Sequence, residues 1–205
     1  GRAKHRCRFA FVYGKGKIDA EHYYSEFLRE KPTGLVMLRP PYIYGEYNYA
    51  QRESLIFRQL TEDKPVAIPK SDPKLQFIYT EDLAAVVDCL LQIDTGKESI
   101  FNVGNRHAVT SKEWVETCAK VAGKTAKIME VDYAQLGRNV RDFYPFFDYD
   151  NVLEVSKINA IINMETDFEE GLKKSFAWFM DNRESIVFKE NVDKNLYEII
   201  AELSV

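Results

Sequence analysis

One unbroken apolar run, Leu35-Val36-Met37-Leu38, closed by Arg39-Pro40-Pro41, constrains the fold more than any other stretch. A run that is continuous rather than alternating reads as a strand buried on both faces, the habit of parallel sheets covered by helices. Two successive prolines remove two N–H donors and fix the chain's direction. The segment therefore leaves the strand as a loop at the carboxyl edge of a sheet, where open α/β folds bind ligands.

On the near side of this strand, Lys31-Pro32-Thr33-Gly34 breaks a helix predicted over residues 16–30. From Ala20 its apolar positions, Tyr23, Tyr24, Phe27 and Leu28, have the spacing of a stripe buried along one side. Before it, Phe-Ala-Phe-Val at 9–12 reads as a short buried strand running into a Gly14-Lys15-Gly16 turn. Strand, G-x-G and helix would together open a dinucleotide-binding fold. The third glycine of that fingerprint is missing, as is the acidic residue that closes its second strand, and no other G-x-x-G-x-x-G occurs in the chain. The phosphate-cradling half is therefore expected to be absent, and the chain reads as a fragment.

Beyond the prolines, residues 50–62 are predicted as a helix burying Leu55, Ile56, Phe57 and Leu60, and Lys64 to Pro69 as a short edge strand. Leu75 to Tyr79 reads as a strand, with Thr80 capping a helix that carries Leu83, Val86, Val87, Leu90 and Leu91. Ser99 to Gly104 reads as a strand leaving into a turn. Thr110-Ser111-Lys112-Glu113 is a capping box ahead of Trp114, Val115, Cys118, Val121 and Ala122. Lys127 to Val131 is another strand, and residues 132–151 are irregular and aromatic. Thr166-Asp167 caps a helix to about residue 184, and Val192, Leu196, Ile199, Ile200 and Leu203 mark a last one. That final stripe packs on its own domain or meets a partner.

With 205 residues, 45% hydrophobic and 13% aromatic, the chain can build one sizeable core, or one domain plus an appendage. No apolar stretch approaches a membrane span, and the cytoplasm is the default location. A net charge of −4 argues against a broad nucleic-acid surface. The basic cluster Arg2, Lys4, His5, Arg6 and Arg8 is local and terminal, and reads as a solvated tip. Cys7, Cys89 and Cys118 lack metal-ligand spacing and are most simply reduced, two of them as buried packing residues. No His, Cys and carboxylate set has metal spacing, and no serine-nucleophile elbow appears.

Tyr13 and Lys17 stand four residues apart, one helical turn. A phenol, with an ordinary pKa near ~10, works as a proton carrier at neutral pH only with help, and a nearby ammonium favours the phenolate. A Tyr and a Lys at this spacing are also common on any helix. The neighbouring blocks give the pair its weight: Leu38-Arg39-Pro40-Pro41-Tyr42-Ile43-Tyr44-Gly45, Phe77-Ile78-Tyr79-Thr80-Glu81-Asp82 and Phe101-Asn102-Val103-Gly104. In this order, over residues 13 to 185, the chain resembles the later half of the extended short-chain dehydrogenase/reductases, the NAD-dependent sugar epimerase and dehydratase family.

The resemblance implies an α/β fold: the later part of a Rossmann-like parallel sheet plus the small substrate-binding lobe, without the dinucleotide-binding half. The division would be a tip at 1–12, the rest of the Rossmann-like domain at 13–98, lobe elements at 99–185 interleaved with 40–80, and a helical extension at 186–205. It implies Tyr13 as acid or base and Lys17 as its pKa-lowering, ribose-binding partner. Glu21 reads as a helix-surface or packing residue rather than a base. The family's third helper, a Ser or Thr on the preceding strand, has no counterpart here. Tyr13, Lys17, Pro40, Pro41 and Tyr42 would meet NAD or NADP, and Tyr42, Tyr44, Lys74 and Gln76 a sugar or nucleotide-sugar substrate. Two departures stand out: Tyr42 where many members have Asn, and Leu75 where nucleotide-sugar members carry Arg, the nearest cation being Lys74. With the aromatic 132–151 stretch, they resemble the atypical branch that includes the chloroplast stem-loop-binding proteins.

The enzymatic expectation is thus half of an epimerase, dehydratase or reductase, inactive alone, with a small sugar-type substrate and room for a homodimer. The alternative is a catalytically idle relative that binds RNA or a protein.

Overall fold

A computed structural model describes the backbone of residues 2–163, 165–188 and 190–203, and the side chains of 12–163, 165–188 and 193–202. The basic cluster and Cys7 lie outside the described side chains. The chain opens with a long helix, α1 (Arg2–Leu28). Residues 9–12, expected as a strand, are helical, and Gly14 and Gly16 lie inside the helix instead of forming a turn. Two glycines weaken a helix by about 1 kcal/mol each but do not stop it, and no proline intervenes before Pro32.

Strand β1 (Leu35–Arg39) follows and pairs in parallel with β6 (Glu98–Asn102), Leu35 against Glu98 and Arg39 against Asn102. After the two prolines the chain resumes as β2 (Tyr42–Tyr44), parallel to β5 (Phe77–Tyr79). Val103 N to Arg39 O (3.2 Å) extends the first ladder, Tyr42 N to Gln76 O (3.2 Å) extends the second, and Asn105 N to Phe77 O (2.7 Å) ties the end of β6 to β5. Among the described residues, β1 has a ladder partner on one side only.

The remaining strands form two further pairs. Strand β3 (Val66–Pro69) runs parallel to β8 (Ile128–Val131), and β4 (Lys74–Leu75) antiparallel to β7 (Val109–Thr110). Helices α2 (Glu53–Thr61), α4 (Ser111–Val121) and α6 (Phe168–Asn182) pack on one another. Their core joins Phe57, Phe77, Trp114, Phe146, Leu172 and Phe179, and Phe77 stacks on Trp114 at 4.1 Å. The expected aromatic loop is built into this core, with Phe143, Tyr144 and Phe146 almost wholly buried. Helix α7 (Glu190–Leu203) lays Leu196 and Ile199 on the same core, tied by Arg58 to Asp193 and Arg138 to Glu198 and Glu202.

A second, smaller core lies beneath β1, β6 and α3 (Thr80–Gln92), around Ile78, Val86, Leu90, Phe101 and Val103, with Ile158 of the short α5 (Ser156–Asn159). Val87 and Leu91, expected inward on α3, are exposed. Thr80 is the first helical residue and makes no capping bond. No helix among the described residues is long and apolar enough to cross a membrane.

Candidate functional site

The candidate site is set by how α1 is turned against β1. Its half-buried positions are Gly14, Glu21, Ser25 and Leu28, spaced seven, four and three residues apart, which is one helix face. Glu21 accepts two bonds from the Arg39 guanidinium, at 2.9 and 2.5 Å, and Ser25 donates to Glu98 at 3.0 Å. The hydrogen bonds from Arg39, aided by its charge, hold the Glu21 carboxyl below its ordinary pKa. Glu21 is therefore a packing residue that clasps the helix to the end of β1.

This overturns the expected buried stripe. Tyr23, Tyr24 and Phe27 face outward, each more than half exposed, with Tyr23 stacked on Phe27 at 5.8 Å. Apolar spacing gave the correct period and the wrong face, because α1 meets β1 through a polar row.

Lys17 lies one turn before Glu21, and Tyr13 one turn before Lys17. The Lys17 ammonium is 5.5 Å from the centre of the Tyr13 ring, so the expected pair is together. Both side chains are exposed, Tyr13 at 61%. Continuing from the Arg39 clasp, the pair passes the carboxyl end of β1 toward the loop after it. Pro40 there is exposed and Pro41 half-buried. A Cβ at Gly104 would come to 3.0 Å from the Pro41 ring, so the proline loop and the β6 turn are tightly packed there.

Tyr42 is buried under the loop, its ring 4.7 Å from Phe146 and 5.8 Å from Phe77, and burial pushes its phenol pKa up. The Arg52 guanidinium lies over the same ring at 5.1 Å and donates to Ile43 O at 2.9 Å. Tyr13 and Tyr49 are near enough to Arg52 to bear on its charge. Arg52 and the Tyr42 ring are thus in contact, and Tyr49, three residues before Arg52, is almost fully exposed.

The other expected substrate contacts are placed differently. Tyr44 is wholly buried against Tyr79 and Phe168. Gln76 is also interior: its side chain donates to Asn105 O at 2.7 Å and Leu153 O at 3.2 Å, and accepts from Leu153 N at 2.7 Å. Both belong to the scaffold here and present no surface to a ligand. Lys74 is exposed, on an edge pinned by Asp150 to its backbone N–H at 2.8 Å. Leu75 is fully buried.

Sequence reading missed Arg52 and Glu53. Glu53 is a buried carboxyl that accepts from Gly45 N at 3.0 Å and from Asn48 Nδ2 at 3.3 Å, shaping the loop between β2 and α2. Burial pushes its pKa up to about 7, against those hydrogen bonds. An acid in a first helical turn is ordinary, so only its burial marks it out. A cleft lined by Phe77, Asn105, Arg106, His107, Glu165 and Phe168 shares no residue with the Tyr13–Lys17 pair or the Tyr42–Arg52 contact.

The model of the NAD dependent epimerase/dehydratase family matches residues 4–104. The chain is 27% identical over 166 residues to the chloroplast stem-loop binding protein of 41 kDa b of Arabidopsis thaliana, covering 79% of this chain and 43% of that one. It is 29% identical over 121 residues to dTDP-4-dehydro-6-deoxyglucose reductase of Escherichia coli, covering 57% and 38%. The chain thus spans less than half the length of these curated relatives. UDP-glucose 4-epimerase of Thermotoga maritima, solved with UDP-glucose, shares the fold at a TM-score of 0.64 and 20% identity, over 83% of this chain and 54% of that one. UDP-glucuronic acid 4-epimerase of Bacillus cereus, solved with UDP-glucuronic acid and NAD, gives 0.67 and 18%, over 82% and 52%.

Proposed function

We propose, from the premise that this chain belongs to the NAD-dependent epimerase/dehydratase family, that it is the catalytic-helix and substrate-lobe portion of an enzyme transforming a sugar or nucleotide-sugar derivative. The observation that carries the reading is the placement of Tyr13 and Lys17: paired on α1, beyond the Glu21–Arg39 clasp, toward the loop that leaves β1. Ligands of open parallel sheets bind at that edge.

In this reading Tyr13 gives or takes a proton at a substrate oxygen, and Lys17 favours the phenolate and holds a ribose hydroxyl. NAD or NADP, when bound, supplies hydride acceptance and donation. Tyr13, Lys17 and the exposed Pro40 at that edge would hold its nicotinamide-ribose end, while Tyr42 is buried beneath the loop. The exposure of both side chains says what is still needed. A proton carrier of this kind works in an enclosed site, and a dinucleotide-binding portion against α1 and the free side of β1 would close it.

The test replaces Tyr13 by Phe in a protein that includes such a portion. Turnover of a nucleotide-sugar substrate, followed by product chromatography, should fall by about 100-fold or more, the scale of positioned acid–base catalysis. Unchanged turnover would overturn the assignment.

A second reading, a binding module for RNA or protein, draws on one specific observation: Tyr42, Phe146 and Leu75 fill the interior where a nucleotide-sugar enzyme of the resembled type carries Asn and Arg. The name of the Arabidopsis relative points the same way. The acidic balance of the chain weighs against RNA.

A further inference from the structure

The cleft between the turn after β6 and the segment entering α6 takes no part in the chemistry proposed for Tyr13. It encloses about 430 Å³, the scale of a small-molecule site, and Phe77, Val109 and Phe168 give it an apolar lining. Asn105 lines it too and is only 5% exposed. The backbone of Asn105 is satisfied, its N–H by Phe77 O at 2.7 Å and its C=O by Gln76 Nε2 at 2.7 Å. Its side-chain amide has no hydrogen-bond partner among the described residues. A buried amide without partners is costly, and a ligand that supplies both a donor and an acceptor would relieve it. On its other side Asn105 borders a space of about 10 Å³ beside Ile78 and Val86, room for one water at most.

The rim carries both signs of charge. Glu165 accepts from Arg106 N at 3.2 Å through Oε1, and Asp167 takes Glu169 N and Glu170 N at 3.0 and 3.1 Å through Oδ1. The second oxygen of each carboxylate has no bond among the described residues. Arg106 is tied by one terminal nitrogen to Asn163 Oδ1. Neither acid forms an ion pair with Arg106 or with any other described cation.

We infer that this cleft binds a free α-amino acid with an apolar side chain. The ammonium would meet Glu165 and Asp167, the carboxylate Arg106, and the side chain would cover Phe77 and Phe168. Asn105 would donate to the carboxylate and accept from the ammonium, so one ligand supplies both partners that its amide lacks. A simple anion would meet two like charges here and a simple cation one, and like charges brought together are repelled. Asn105 and Arg106 follow β6, on the side of β1 that is already paired, so the site stands apart from Tyr13 and does not depend on the role proposed for it.

The probe is L-phenylalanine, titrated into the 205-residue chain by calorimetry, with saturable binding expected at millimolar concentration or below. Phenethylamine, which lacks the carboxylate, and 3-phenylpropanoate, which lacks the ammonium, are each expected to bind about tenfold more weakly, the scale of one charge-assisted hydrogen bond. N-acetyl-L-phenylalanine amide, which has neither charge, should bind more weakly still. Asn105→Leu and Glu165→Gln are expected to weaken L-phenylalanine binding about tenfold. Tyr13→Phe should leave it unchanged. Circular dichroism checks that each variant folds; should Asn105→Leu not fold, Glu165→Gln decides. The inference is overturned if L-phenylalanine fails to bind at millimolar concentration, if the folded variants at 105 and 165 bind it as the parent does, if Tyr13→Phe removes binding, or if any of the three analogues binds equally well.

Discussion

Glu53 shows how one buried carboxyl ties the pH dependence of the fold to the site loop. Its folded pKa of about 7 lies above the ordinary 4.5, with desolvation the dominant cause. Between those values the folded chain keeps a proton that the unfolded chain has released, so this group's contribution to stability falls as pH rises through that window. Glu53→Gln keeps the acceptor for Gly45 N and removes the titration. The stability lost between pH 5 and pH 8 should shrink by on the order of 3 kcal/mol in the variant, measured by urea unfolding at both pH values. An unchanged pH profile would show that Glu53 is ionised in the fold throughout. Residue identity told which groups could act, and Tyr13 and Lys17 were legible as a pair because one helical turn separates them. It did not tell that Tyr44 and Gln76 would be interior, since that depends on α6 and the 151–155 segment closing over them.

Elements were legible where their signals were local. The Thr110 box has both its bonds, Glu113 N to Thr110 Oγ1 at 3.1 Å and Thr110 N to Glu113 Oε2 at 2.7 Å. Helix α4 then buries Trp114, Val115 and Cys118 as its spacing requires. Thr110→Ala should cost about 1 kcal/mol and lower Tm by about 2–4 °C, read by thermal denaturation. Helix α1 is the opposite case. Its period is plain in the sequence, but which side is covered depends on a sheet that meets it through Arg39 and Glu98. The short strand expected at 9–12 failed for a related reason: an apolar tetrad becomes a strand only beside a partner, and no described strand pairs with it.

At the scale of the molecule, the described helix starts offer a dinucleotide little. Helices α2, α3, α4 and α6 open with Glu53, Glu81 and Asp82, Glu113, and Glu169 and Glu170. Acids there use up the positive end of the helix that would otherwise attract a pyrophosphate. The 205 residues alone should therefore bind NAD weakly or not at all, and submicromolar binding in calorimetry would refute this. The parallel pairing was legible from Leu35–Leu38, but the expected cover on both faces was not met: all four residues are half-buried. The aromatic lobe core was not, because its partners come from α2, α4, α6 and the 143–146 stretch, far apart in the chain.

The clasp between Glu21 and Arg39 makes α1 a shaft with a set azimuth. A slip of one residue would swing Tyr13 by about 100° away from the loop after β1. Because that fastening is itself partly wetted, dissolved electrolyte can loosen it and leave the helix free to turn, carrying Tyr13 with it.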